Sequence, residues 1–295
     1  MAGETGSAKT LGEIGLHDAG GSGVTVSGLT VDSRAVKVGN LFAALPGNVE
    51  HGARFARSAI AAGAAVILTD PAGAALIRTE GDIAVPLVIT EDPRQALAFA
   101  AALWFGGQPQ VVVAVTGTNG KTSVATFARQ IWTQLGLTAA NLGTTGIEGA
   151  YAAPLDHTTP EPVTLQRHLA AMAKAGVTHL AMEASSHGLD QRRLDGVRLS
   201  AAGFTNFSQD HLDYHGSFEA YFAAKAGLFA RPLPEDGVAV ITLADPKGPD
   251  MARLKIGRAR GSSGPRKLGH GSVNWTGLGD GLDASHGRRR VDEQA

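Results

Sequence analysis

Apolar residues fall in short unbroken runs along most of the chain, and stretches of helical spacing separate the runs. "VTVSGLTVDS" (24–33), "NLFAAL" (40–45), "AAVILTD" (64–70) and "PLVIT" (86–90) read as strands, and "ARFARSAIAAG" (53–63) as a helix stopped by Gly63. Asp92 and Pro93 have the chemistry of an N-cap and first helical position, so a helix is expected from there to about Phe105. "GGQPQ" (106–110) is a break and the expected domain boundary. A second unit then repeats the alternation. "VVVAV" (111–115), "THLAME" (178–183), "AAGFTNF" (201–207) and "GVAVIT" (237–242) are strands, with helices over 121–135, 163–175 and 217–230. Continuous apolar strands between helices predict an α/β fold with a parallel sheet covered on both faces. Such sheets bind ligands at the carboxyl ends of their strands.

The pattern fails after about residue 245. Residues 255–295 hold nine glycines and eight Lys/Arg without a sustained apolar period, and read as an unstructured tail. The expected division is therefore 1–105, 111–245 and a divergent tail, 246–295. Composition adds mostly exclusions. A net charge of -1 gives no global basic field for nucleic acid or an anionic membrane. There is no cysteine, which excludes disulfides, thiolate metal sites and a cysteine nucleophile, and fits a reducing cytoplasm. The first sixteen residues lack the apolar stretch of a signal peptide, and no run approaches the length of a membrane span.

"VVVAVTGTNGKT" (111–122) is the most telling stretch. Gly117 and Gly120 allow a tight turn whose N–H groups can face anionic oxygens, and the helix from Lys121 adds its positive end. Lys121 would neutralise outer phosphates and the Thr122 hydroxyl would ligate Mg²⁺. The glycine spacing differs from the common P-loop, which would need glycine where Val115 stands. Glu183 ends one strand, and Asp210, His211 and His215 follow the next, so a carboxylate and an imidazole could converge on this loop and hold metal. His211 read alone could equally be a capped loop histidine. Lys225 interrupts a stripe formed by Phe218, Tyr221, Phe222 and Phe229. It either snorkels to water or is desolvated, which would lower its pKa.

Several motifs together closely resemble the Mur ligases. They are "VDSRAVKVGNLFAALPG" (31–47), "TGTNGKT" (116–122), "HTTP" (157–160), "MEASSHGLDQRR" (182–193), "NFSQDHLDYHGS" (206–217) and "AAKAGLF" (223–229). The resemblance implies an ATP- and Mg²⁺-dependent amide ligase of peptidoglycan precursor synthesis, a cytoplasmic monomer. Its substrates would be UDP-N-acetylmuramoyl-dipeptide and an incoming diaminopimelate or lysine, joined through an acyl phosphate. By matching motif, Thr116, Gly117, Thr118, Asn119, Gly120, Lys121 and Thr122 would bind ATP. Thr122 and Glu183 would hold Mg²⁺, and His211 with a carbamylated Lys225 a second ion. Val31, Ser33 and Asn48 would meet the uridine nucleotide. His157, Thr158, Thr159, Ser185, Gln191 and Arg193 would bind the muramoyl-peptide. The resemblance fades at about residue 242, and the Asp-Asn-Pro-Arg-type motif of the family's third domain does not occur. That implies a truncated product lacking the amino-acid site. Two alternatives stand beside it: a folylpolyglutamate synthetase-type ligase, and a module that binds UDP-sugar or ATP without turnover.

Overall fold

A computed structural model describes residues 8–17 and 23–261, with side chains as far as Leu254. The first unit opens with a two-stranded ladder, β1 (Lys9–Thr10) antiparallel to β2 (Thr25–Val26). Strands β3 (Gly28–Thr30), β4 (Asn40–Ala43), β5 (Val66–Thr69) and β6 (Leu87–Ile89) then pair in parallel, in chain order. Between them lie α1 (Ala56–Ala61) and α2 (Pro71–Thr79), and α3 (Pro93–Phe105) follows. Side chains alternate across the sheet. Leu41, Val66 and Leu68 meet Leu97 and Ala101 of α3 on one face, while Phe42 and Ile67 meet Ala56, Ala59 and Ile77 on the other.

The second unit is a six-stranded sheet in the order β12-β11-β7-β10-β8-β9. Its strands are β7 (Val111–Thr116), β8 (Ala139–Gly143), β9 (Gly146–Gly149), β10 (His179–Glu183), β11 (Ala201–Phe204) and β12 (Val238–Ile241). All pairs are parallel except β8 with β9, a hairpin that ends one edge. The helices are α4 (Lys121–Gln134), α5 (Pro162–Lys174), α6 (Ser186–Asp190), α7 (Leu212–His215), α8 (Phe218–Ala230) and α9 (Gly248–Gly261). The main core lies on one face. Val112, Ala114, Leu180, Met182, Ala202 and Phe204 of the strands pack there against Leu165 and Leu169 of α5, Leu189 of α6, Leu228 of α8 and Met251 of α9. On the other face sits α4, whose Trp132 ring lies 5.2 Å from that of His179.

Helix α9 lies beyond the C-terminal boundary expected at 245, and its Met251 is fully buried in this core. The helix also replaces the unstructured reading as far as Gly261, and the rest of the expected tail lies outside the described residues. Among the described residues, no helix is long and apolar enough to cross a membrane.

The two units are stitched together where α3 meets the segment after α6. Arg192 pairs with Asp92, the N-cap of α3, at 2.9 Å, and with Asp195 at 3.3 Å. Asp195 also receives Gln95 at 3.3 Å and lies 3.6 Å from Arg231. Gly196 permits the close approach, since a Cβ there would fall 2.2 Å from the Ala98 carbonyl oxygen. Arg192 itself, between Gln191 and Arg193 in the chain, has φ of 60°, an unusual conformation for a side-chain-bearing residue.

Candidate functional site

The glycine loop joins β7 to α4 at the carboxyl end of the sheet, as its sequence predicts. Gly117 has φ of 144° and Gly120 φ of 84°, so both need the freedom of glycine. The loop is fastened to the segment after β11. Thr118 N–H donates to the Asn206 carbonyl at 2.9 Å, and Asn119 N–H to the Asn206 side-chain oxygen at 3.0 Å. Thr205 Oγ1 donates to the Asn119 carbonyl at 2.7 Å. Thr118 Oγ1 receives the Ser208 N–H at 3.0 Å and lies 3.3 Å from the Tyr221 hydroxyl. The sequence reading assigned Thr205 and Asn206 no role.

Two lysines converge on one carbonyl. Lys121 Nζ donates to Gly117 O at 3.0 Å and to Thr118 O at 2.9 Å, and Lys225 Nζ donates to Gly117 O at 2.8 Å. Lys225 is 1% exposed, with its Nζ 4.5 Å from the centre of the Tyr221 ring. The snorkelling alternative is thereby excluded. Burial, reinforced by the charge of Lys121 and opposed by Asp210, brings the Lys225 pKa down to about 7. Burial also lowers that of Lys121, against the pull of Glu183 and Asp210.

Glu183 closes β10 and is 1% exposed. Its carboxylate accepts the Thr144 N–H at 2.9 Å and the Thr144 hydroxyl at 3.4 Å. Gly143 makes room for it, because a Cβ there would fall 1.9 Å from Oε1. Thr158 Oγ1 is 3.0 Å from Thr144 Oγ1, beside this carboxylate. Thr159 is buried and ties the same strand end together, donating to Glu183 O at 3.0 Å and accepting from Ser185 N–H at 3.1 Å. Ser185 caps α6 through its side chain. Both residues expected at the substrate thus hold the backbone in place. The buried carboxylate has only threonine donors and the nearby Lys121 charge to balance it, and hard oxygen donors suit Mg²⁺. Glu183 therefore has the chemistry of a ligand for such an ion, and Thr122 stands in the first turn of α4.

His211 stands at the start of α7. Its backbone is left-handed at φ 50°, its Nε2 lies 3.3 Å from Asp210, and its ring packs edge-on to His187 with centroids 4.9 Å apart. Among the described residues, no three His, Asp or Glu side chains are grouped to hold a metal.

A cavity of about 770 Å³ opens between the two units. Of the residues assigned to the substrate, Val31, Ser33, His157, Gln191 and Arg193 line it, and Asn48, Thr158, Thr159 and Ser185 are not among its lining residues. Arg34 and Arg94 line it too, and neither was anticipated. Arg94 donates to the Pro46 carbonyl. It occupies the first turn of α3, where a cation opposes the helix dipole, and that misplacement was the available signal. Arg193 donates to Gln191 Oε1 at 2.7 Å and to the Thr159 carbonyl at 2.5 Å. Gln191 in turn donates to the Tyr214 hydroxyl at 3.0 Å. Burial, then Arg94, lowers the Arg193 pKa. Crowded guanidinium groups of this kind suit an anionic ligand.

Sequence and fold comparisons agree with this geometry. The profile of the Mur ligase middle domain matches residues 115–259, and that of the Mur ligase family catalytic domain matches residues 25–104. The chain belongs to the Mur ligase family. The middle-domain match continues past residue 242, where the resemblance was expected to fade. A UDP-N-acetylmuramoyl-L-alanyl-D-glutamate–2,6-diaminopimelate ligase of Caulobacter vibrioides is 53% identical over 238 residues, which is 78% of this chain and 48% of that protein. The ligase of the same name from Agrobacterium fabrum is 48% identical over 254 residues, 85% of this chain and 48% of the relative. A solved structure of a ligase of that name superposes with a TM-score of 0.69 at 31% identity, covering 84% of this chain and 50% of the other. MurF from Acinetobacter baumannii shares the fold, with a TM-score of 0.56 at 21% identity over 86% of this chain and 52% of its own. The chain spans about half the length of the curated Mur ligases it matches.

Proposed function

We propose that this chain forms the nucleotide- and precursor-binding part of an ATP-dependent amide ligase of peptidoglycan synthesis. The ligase would add diaminopimelate or lysine to UDP-N-acetylmuramoyl-L-alanyl-D-glutamate. The observation that carries this reading is the pairing of two sites at adjacent strand ends. One is the glycine loop, with Lys121 and a buried Glu183; the other is the arginine-lined cavity between the units. In the reaction, a substrate carboxylate oxygen attacks the γ-phosphorus of ATP and the bond to the ADP oxygen breaks. The amine of the incoming amino acid then attacks the acyl carbon. Phosphate leaves, and the amine's extra proton passes to solvent or a base.

Transfer between two anions needs alignment and charge compensation more than covalent help from the protein. Lys121 would swing from the Gly117 and Thr118 carbonyls onto the β- and γ-phosphate oxygens, and the loop N–H groups would face the same anion. Thr122 and Glu183 would hold Mg²⁺, which supplies charge neutralisation between the phosphates. Arg193, steadied by Gln191, would fix the precursor together with Arg94 and Arg34. Lys225, whose buried amine gives up its proton more readily than an exposed lysine's, could add CO₂ at Nζ to give a carbamate and a proton.

Calorimetry tests the assignment. ATP with Mg²⁺ should bind the wild-type chain, and Lys121→Ala should weaken binding by roughly 1.5–3 kcal/mol, about ten- to 150-fold. Equal ATP affinities in the two proteins would reject the phosphate role of the loop. Binding of the UDP-muramoyl-dipeptide should survive this substitution, which separates loss of one site from loss of the fold.

A further inference from the structure

Arg193 lines the cavity, but what aims it lies behind the wall. A guanidinium has five N–H groups and no acceptor. Nε and Nη2 of Arg193 donate to Gln191 Oε1 at 3.2 and 2.7 Å, and Nη1 donates to the Thr159 carbonyl at 2.5 Å. One N–H on each terminal nitrogen is left without an acceptor among the described residues. That pair is available to an anionic oxygen in the cavity.

The aim depends on Gln191, whose side-chain amide has an accepting end and a donating end. Its oxygen faces a guanidinium, which can only donate. Its nitrogen donates to the Tyr214 hydroxyl at 3.0 Å. A hydroxyl can both give and accept, so by itself it would not hold the amide one way round. Here its proton is already committed, because Tyr214 donates to Asp190 Oδ2 at 2.9 Å. A carboxylate accepts and does not donate, which leaves Tyr214 as an acceptor toward Gln191. Donation therefore runs one way, from Arg193 to Gln191, on to Tyr214 and out to Asp190. Burial raises the Tyr214 pKa; the Gln191 bond lowers it and Asp190 raises it again, so the hydroxyl keeps its proton.

The tyrosine ring is fixed as well. Tyr214 lies in α7, and its ring packs against those of His187 and His215, with centroids 4.1 and 4.8 Å away. Neither Tyr214 nor Asp190 is among the residues lining the cavity, so either can serve a ligand there only through Gln191. An amide also suits this post better than a carboxylate. A glutamate at 191 would neutralise the guanidinium, whereas glutamine orients it and leaves its charge for the ligand.

We propose that Tyr214 is a positioning residue: with its proton given to Asp190, it locks the Gln191 amide and so directs the free N–H pair of Arg193 at an anionic oxygen of the UDP-muramoyl-dipeptide. The inference rests on the precursor site of the proposed function and adds to it two residues outside the cavity.

Tyr214→Phe keeps the ring and removes only the hydroxyl. Calorimetry with UDP-N-acetylmuramoyl-L-alanyl-D-glutamate measures its effect in the wild-type chain and in a Gln191→Ala background. The expected loss of affinity is roughly three- to tenfold in the wild-type chain. In Gln191→Ala, where no amide remains to be locked, it should be less than about twofold. A merely structural tyrosine would cost affinity equally in both backgrounds. Equal losses overturn the proposal, and so does unchanged precursor affinity in Tyr214→Phe. Should Tyr214→Phe fail to fold, Asp190→Ala takes its place, since it removes an exposed side chain and frees the tyrosine proton. Its expected loss is roughly two- to fivefold, again absent in Gln191→Ala, and full affinity in Asp190→Ala would overturn the proposal. A wild-type chain that does not bind the precursor refutes the proposed function and this inference with it. Wild-type binding that Tyr214→Phe leaves intact overturns the inference alone.

Discussion

Replacing Lys225 by methionine should make the central unit more stable at neutral pH, and the gain should fade as the pH rises. Lys225 is 1% exposed, and its pKa falls from 10.5 to about 7, chiefly through burial. At 1.36 kcal/mol per pH unit, that change amounts to roughly 5 kcal/mol of destabilisation while the amine is protonated in both folded and unfolded chains. Between pH 7 and 10.5 the unfolded chain binds the extra proton, so wild-type stability rises with pH across that window. Methionine has similar length and no charge. It loses the 2.8 Å hydrogen bond to Gly117 O, a cost of about 1 kcal/mol, but that oxygen keeps Lys121. The variant should therefore exceed wild type by about 3–4 kcal/mol at pH 6, and the difference should shrink by about 2–3 kcal/mol by pH 9. Urea titrations in CO₂-free, metal-chelated buffer measure this. Trp132 fluorescence reports on the central unit once Trp104 and Trp275 are changed to phenylalanine. A difference that stays constant from pH 6 to 9 would refute the buried-amine argument, because an accessible lysine does not titrate there.

Arg193→Ala should weaken UDP-muramoyl-dipeptide binding by roughly 1.5–3 kcal/mol in calorimetry while leaving ATP affinity intact, since the guanidinium faces the cavity and not the loop. Gly117→Ala should lower the stability of the central unit by about 2 kcal/mol or more, measured by urea titration, because φ is 144° and the new Cβ would fall 1.9 Å from Thr205 Oγ1. Asp195→Ala leaves Arg192 and Arg231 without their shared carboxylate, and should cost about 3 kcal/mol in stability. Unaltered unfolding in that variant would show that the two units are held together elsewhere.

The main strands and the loop between β7 and α4 were legible because they depend on local features: apolar period, glycine, and a lysine at a helix start. Capping was legible only where it was looked for. Asp92-Pro93 was read as a helix start, and Asp92 does accept the Gln95 N–H. Asp70-Pro71 has the same signature and starts α2, a helix the sequence analysis did not name. The β8–β9 hairpin escaped because its strands are rich in glycine and alanine, with little β-branched character to mark them. The Lys225 environment could not be decided from spacing. Helix α8 is apolar nearly all round, so the stripe did not say which side faced water. Arg94 and Arg34 come from distant segments, and only the fold brings them to Arg193.

The two sheets pose very different problems to a chain leaving the ribosome. In the first unit each strand pairs with the next one synthesised, so the sheet can form as it emerges. In the second, β7 is made first yet lies in the middle, between β10 and β11. Its ladder with β11 joins Val113 to Ala201 and Thr116 to Phe204, nearly ninety residues on. At synthesis rates of about 5–20 residues per second, β7 waits roughly 3–14 s with both edges open until β10 is made, and its β11 edge stays open for roughly 4–18 s. For that interval, "VVVAV" is an apolar segment without partners, and the finished first unit beside it is the only folded surface nearby. Chaperone dependence during synthesis should therefore concentrate on nascent chains between about 115 and 205 residues beyond the exit tunnel, and ribosome profiling of chaperone-bound nascent chains would register it there.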